Sequence, residues 1–301
     1  MTEKALTTKT NWLRKYPQVP YIAPTALIML LLFILPILFV VIISFTNYRL
    51  GMWPSDIRFL GASNYIRLFS GAETAFYFSF FISILFMFLA TACQMVIGMA
   101  CAMLINRDFK FKGIVIACLI LPVVLTPSIA SQIWKLMFNT EFGVLNFFLN
   151  SLFSIRPIWL TDHAFLAVLI ATTWQFTPFV TLMLYAGLRS LPASPFESAI
   201  IDGANRIQLF FHITLPLMKR LVLLCALLRS IDMLKTFDIP YVLTQGGPGN
   251  ATRFLGLLIY DTGFGERNFV ARAAATAVVL IIVVSIMSLL LFMNMKKSRE
   301  N

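Results

Sequence analysis

Four ionisable residues at steps of three carry the first chemical possibility. Arg229, Asp232, Lys235 and Asp238 alternate in sign, just after an opening run of only eight apolar residues at 221–228. The alternation sums to zero and lets neighbours pair along one helix. At 1.5 Å per residue, Arg229 stands about 12–14 Å into a span, near the middle of a hydrocarbon core about 30 Å thick. Charges at that depth face a water-filled path or the protein interior, not lipid. Two roles are open: direct solute contact, or an ion-pair ladder that holds helices together. A second possibility is Trp174, Gln175 and Phe176, followed by Pro178. Aromatic faces beside an amide suit a sugar, because rings pack on C–H faces and polar tips meet hydroxyls. The plain alternative is packing aromatics. Pro178 frees a backbone carbonyl and is expected to kink its helix.

Other chemistries are missing. No Gly-x-x-x-x-Gly-Lys-Ser/Thr occurs, so a phosphate-binding loop of that kind is absent. Gly246, Gly247 and Pro248 form a glycine-rich turn without the lysine. There is no His-Glu-x-x-His, paired-acid pattern or Ser/His pairing for an intramembrane enzyme. His163 and His212 are the only histidines and lie far apart. Cys93, Cys101, Cys118 and Cys225 all fall in apolar runs, which reads as free thiols. No metal and no bound cofactor is expected on this chain.

The elements that position these residues are membrane spans. Of 301 residues, 59% are hydrophobic and 12% charged, against about a quarter charged in soluble domains. Mean hydropathy is +0.84. The net charge of +11 therefore reflects topology, not nucleic acid. Six spans are expected at about 22–45, 75–105, 114–138, 165–188, 221–243 and 271–293, an all-α membrane protein. Pro122 and Pro127 are expected to kink the third, and Lys135 to snorkel from its outer end. Residues 144–149 read as an interfacial helix, with Trp53 and Trp159 at the headgroups. Residues 1–21 form a polar, basic N-terminal segment, 22–293 one membrane domain and 294–301 a tail. The first span stays as a signal anchor.

Lysine and arginine set the orientation. Segments 1–21, 106–113, 188–220 and 294–301 hold fourteen: Lys4, Lys9, Arg14, Lys15, Arg107, Lys110, Lys112, Arg189, Arg206, Lys219, Arg220, Lys296, Lys297 and Arg299. The other side holds six: Arg49, Arg58, Arg67, Arg156, Arg253 and Arg267. Both termini and the loop at 189–220 are therefore expected in the cytoplasm.

That loop contains the longest amphipathic stretch, 194–216. Ser194 reads as an N-cap, with Pro195 first in the helix and Glu197 closing a capping box. Phe196, Ala199, Ile200 and Gly203 form one stripe, and Gly203 is the expected stop. A second short helix at about 206–212 would end before Pro216. Such a helix-turn-helix can dock into a groove on a partner.

The same residues carry a resemblance. Glu197-Ser198-Ala199, three residues that include Asp202, then Gly203, nine residues, and Ile213-Thr214-Leu215-Pro216 resemble the Glu-Ala-Ala loop of ABC importer permeases, with Ser198 the one departure. At 237–252, Phe-Asp-Ile-Pro-Tyr-Val-Leu-Thr-Gln-Gly-Gly-Pro-Gly-Asn-Ala-Thr is similar to the fifth-span segment of the carbohydrate-importing branch. By that resemblance Arg229, Asp232, Lys235 and Asp238 belong to a family frame and do not mark one sugar.

The resemblance implies an ATP-driven importer subunit in a bacterial inner membrane. It implies a second, related permease chain, an ATPase dimer at the coupling loop carrying ATP and Mg, an extracytoplasmic solute-binding protein, and a sugar-class solute moved by alternating access. The rival is an ion-gradient-driven secondary transporter using Asp232 and Asp238.

Overall fold

The computed structural model describes residues 18–265 and 268–300, without the side chains of 19, 20, 291 and 294–300. The basic residues counted in 1–17, Arg267 and the side chains of Lys296, Lys297 and Arg299 lie outside that description. The described chain is helical, with one isolated bridge between Thr46 and Phe59. Five helices are long and apolar enough to span a bilayer, and a bent pair makes up to a sixth.

The first span is α1 (Val19–Met29) and α2 (Leu35–Ser44), joined by a π-helical turn at Leu30–Ile34. The Leu35 N–H bonds to the Leu30 carbonyl, five residues back. That wider turn makes room for Pro36, which lacks an N–H and would crowd the carbonyl four residues before it. Residues 21–39 are exposed, as expected of a helix that is apolar all round. At the far end, buried Asn64 on α3 (Ser63–Phe69) donates to the Ser44 and Thr46 carbonyls, both at 2.8 Å.

The second span is α4 (Thr74–Ile105) and the fourth is α8 (Ala164–Arg189). They pack closely because Gly98 has no side chain: a Cβ there would come within 2.6 Å of Val180 Cγ1. Gly187 does the same for α8 against Leu221. Small residues of this kind let membrane helices approach. Pro178 is buried inside α8, which runs on unbroken through it.

The third span is not one kinked helix. It is α5 (Lys112–Val124) and α6 (Pro127–Met137), bent by 100°. Pro127 disfavours helical backbone in the residue before it, and both Leu125 (ψ 139°) and Thr126 (ψ 144°) are extended. The expected helix over 144–149 is α7 (Val144–Phe153).

The loop holds α9 (Ser194–Ile201) and α10 (Arg206–Leu209). α10 does not end before Pro216. A second π turn at Phe210–Thr214 carries it into α11 (Leu215–Leu234), so one helical rod runs Arg206–Leu234. The fifth span thus begins well before residue 221 and ends at Leu234, not 243. The chain then breaks and continues as α12 (Asp238–Thr244), α13 (Leu255–Phe264) and α14 (Val270–Glu300).

Two apolar clusters fill the bundle. One holds Phe86, Ala171, Met233, Leu234 and Phe254, and the other Met99, Ala102, Val180, Leu184 and Cys225. Along α4, α8 and α11 a short polar layer separates them, at Gln94, Thr177 and Arg229.

Candidate functional site

The loop forms an exposed corner. Ala193 is already helical (φ −72°, ψ −34°), so Ser194 lies inside α9 and caps nothing; no capping box joins it to Glu197. Instead the Ser194 carbonyl accepts the Ser198 hydroxyl at 3.1 Å. The capping box sits on the next helix. Asn205 Oδ1 accepts from the Ile207 and Gln208 amides at 3.0 and 2.9 Å, and Gln208 Oε1 accepts from the Asn205 amide at 2.8 Å. Asn-x-x-Gln before an apolar run was a readable signal that sequence reasoning passed over. Gly203 does close α9, at φ +83°, and the Ala204 amide reaches back to the Ala199 carbonyl at 2.9 Å.

The turn between the helices encloses a cleft lined by Ala199, Asp202, Gly203, Ala204, Gln208 and His212. Glu197, Ser198, Asp202 and Pro216 are exposed; Ile213 and Leu215 are half-buried. The expected stripe is only partly covered. Phe196 and Ala199 are half-buried, while Ile200 is 60% and Ile201 85% exposed. With Ile207, these leave an apolar face of the corner uncovered.

Near the far end of the rod the ladder divides. Arg229 is buried and donates from Nε to Gln94 Oε1 at 2.9 Å and from Nη1 to Asp232 at 3.0 Å. Its guanidinium lies 4.4 Å from the Phe176 ring centre. Asp232 also meets Lys235 Nζ at 3.8 Å. Asp232 and Lys235 are half exposed, at 51% and 52% of their side-chain surface. Asp238 is exposed on α12, beyond the break, and forms no ion pair among the described residues. Pairing of all four along one helix therefore fails, because α11 stops at Leu234.

Trp174, Gln175 and Phe176 do not form one wall. Successive helical residues point about 100° apart. Trp174 meets Trp134 edge-on at 5.7 Å and lines an apolar groove with Cys93, Cys118 and Pro122. Gln175 is buried and donates to the Leu125 carbonyl at 3.0 Å, at the bend of the third span. Phe176 lies under Arg229. Gln94 was missed by the sequence reading; a glutamine in a 32-residue apolar helix was the available signal.

The Lys135 ammonium donates to the Val242 carbonyl at 3.4 Å, in the last turn of α12. Trp159 is half-buried, its indole N–H donating to Asn146 Oδ1 at 2.9 Å and its ring packed on Phe138. The glycine turn is a turn, with Gly246 at φ +84° and the Thr252 hydroxyl donating to the Gly247 carbonyl at 3.0 Å before Pro248. The four cysteines are free thiols.

Five long apolar helices and a bent pair, with an exposed two-helix corner and one buried arginine among the described residues, are the features to compare. The family described as "Binding-protein-dependent transport system inner membrane component" matches residues 68–299. The chain belongs to that family. This permease is 37% identical over 243 residues to the trehalose/maltose transport system permease protein MalF of Thermococcus litoralis, covering 76% of this chain and 81% of the relative. It is 33% identical over 299 residues to the sulfoquinovosyl glycerol transport system permease protein SmoG of Agrobacterium fabrum, covering 93% and 96%. In fold it is similar to a bacterial ABC transporter involved in the import of alginate, with TM-score 0.79, 19% identity, and 97% and 99% of the two chains covered. A second crystal structure, of an alginate ABC transporter with its periplasmic protein carrying an alginate pentasaccharide, gives TM-score 0.77 at 19% identity over 94% and 93%. The permease is a multi-pass translocation subunit, and the gradient-driven alternative gains no support from these likenesses.

Proposed function

We propose that this permease moves a sugar-class solute inward by alternating access, as one half of a pore completed by a second, related permease chain. In this reading a binding protein delivers the solute outside, and two ATPase chains holding ATP and Mg act from the cytoplasm. Both termini and the 189–220 loop then face the cytoplasm, in keeping with the fourteen-to-six division of basic residues. The sugar class is supported by the relatives that carry trehalose/maltose and sulfoquinovosyl glycerol in their names.

The observation that carries the coupling role is the rod Arg206–Leu234. The exposed corner stands at one end of it and Arg229 and Asp232 near the other. At 1.5 Å per residue the 23 steps from Arg206 to Arg229 span about 35 Å. Closure of an ATPase cleft around Ile200, Ile201 and Ile207 would therefore displace the charge layer directly. Asp232, Lys235 and Asp238 are exposed, so they line the solute path or the pore between the two permeases. Arg229 serves chiefly to tie α4, α8 and α11 together.

Glu197→Lys in the reconstituted assembly tests the corner. The reading expects uptake to fall at least about tenfold with ATP hydrolysis retained. Normal uptake by this variant would remove Glu197 from the mechanism.

A further inference from the structure

The break after α11 gathers aromatic rings that the sequence reading did not single out. Gly256 on α13 lies against the break: a Cβ there would meet the Thr236 carbonyl oxygen at 2.8 Å and Phe237 Cβ at 3.4 Å. Only glycine permits that approach, and one turn on it sets Tyr260 beside the rings of Phe237 and Tyr241, at the start of the preceding helix. Phe237 and Tyr241 stack at 5.2 Å with an interplanar angle of 19°. Tyr260 closes the group, 5.2 Å from Phe237 and 5.3 Å from Tyr241. Tyr241 and Tyr260 are both 37% exposed.

The exposed neighbours are of two kinds: Phe264, 60% exposed, lies 5.9 Å from Tyr260, and charged groups flank Tyr241. Asp238 lies one turn from Tyr241 on the same face of α12, and Lys235 and Asp232 precede the break. Exposed Asp232 and Asp238 beside the tyrosines favour a water-lined path over a lipid-facing belt. Stacked rings with carboxylate acceptors at their rim match the two-sided chemistry of a sugar, apolar on one face and hydroxyl-edged. Arg229 is turned inward but pairs with Asp232 at 3.0 Å, so the four charges beside the rings sum to zero. A rim without net charge suits an uncharged sugar.

We propose that Tyr241 and Tyr260, with Phe237 behind them and Asp238 at the rim, form a platform for the ring of a neutral sugar on its way past the α11–α12 break. The proposal rests on the sugar-importer reading above and adds a ligand class and a place.

The test uses the full assembly in proteoliposomes, with radiolabelled maltose, trehalose and a uronate-bearing disaccharide as probes. The quantity read is sugar imported per ATP hydrolysed, which a simple folding defect leaves unchanged because both rates then fall together. Tyr241→Ala and Tyr260→Ala are expected to lower that ratio about tenfold for the neutral probe that the wild type imports. Tyr241→Trp and Tyr260→Trp should keep it within about twofold, since the flat face is retained. A ratio unchanged in both alanine variants overturns the platform while leaving the importer reading intact. Loss of the second permease on purification of either alanine variant overturns it too, by assigning the rings to a subunit contact. Wild-type preference for the uronate probe overturns the neutral class. Uptake of none of the three probes by the wild type overturns the sugar reading, and the platform with it.

Discussion

Gln94 Oε1 accepts the Nε–H of Arg229 at 2.9 Å, joining residues 135 positions apart across the middle of the bundle. The pair sits between the two apolar clusters, where water is scarce and an unpaired guanidinium is costly. Gln94 therefore decides how much that cation costs the fold.

Gln94→Leu should destabilise the permease by about 1–3 kcal/mol, because it leaves a buried charged donor without its acceptor. Thermal unfolding of the purified assembly reads this directly. The double variant Gln94→Leu/Arg229→Met should recover part of the loss, since both partners are then apolar. A double variant no better than the single one would show that Gln94 holds something other than Arg229.

The bend of the third span offers a local readout. Gln175→Leu removes the donor to the Leu125 carbonyl. Amide exchange at 123–130 should quicken by about tenfold, the equivalent of about 1.4 kcal/mol, while exchange at 206–212 stays as in the wild type. Equal quickening in both segments would mean global loosening and not a hinge contact.

The caps of the loop separate two serine and asparagine roles. Asn205→Ala should cost about 1 kcal/mol of local stability and speed exchange at 206–210, whereas Ser194→Ala should change little, within about 0.5 kcal/mol. The reverse ranking would restore the capping box at Ser194 and Glu197 and contradict the geometry of Ala193.

Much of this architecture was legible because membrane spans announce themselves by length and greasiness. The spans at 22–45, 75–105, 165–188 and 271–293 agree with the helices to within a few residues, apart from the longer tail of the last. Gly203 was readable because a helix needs a residue tolerant of positive φ to stop there. What was not legible depended on contacts between distant elements. Nothing near Gln175 in sequence says that its amide meets Leu125, 50 positions away. Nothing in the spacing of Arg229 and Asp238 says that the helix between them ends. The sequence marks Pro216 as a terminator and Pro127 as a mere kink, and the structure reverses the two. At 127 the extended pair before it breaks the span, and at 216 a π turn absorbs it.

That absorbed proline fixes an angular phase. A π turn inserts one residue into the winding, so everything beyond it is rotated about 100° relative to an uninterrupted α-helix. The face of the rod that carries Arg229 is thus aimed by the five residues Phe210–Thr214, not by the ladder's own spacing. Deleting one residue there would leave composition, length and hydropathy almost untouched. It would also turn Arg229 away from Gln94 whenever the corner keeps its place.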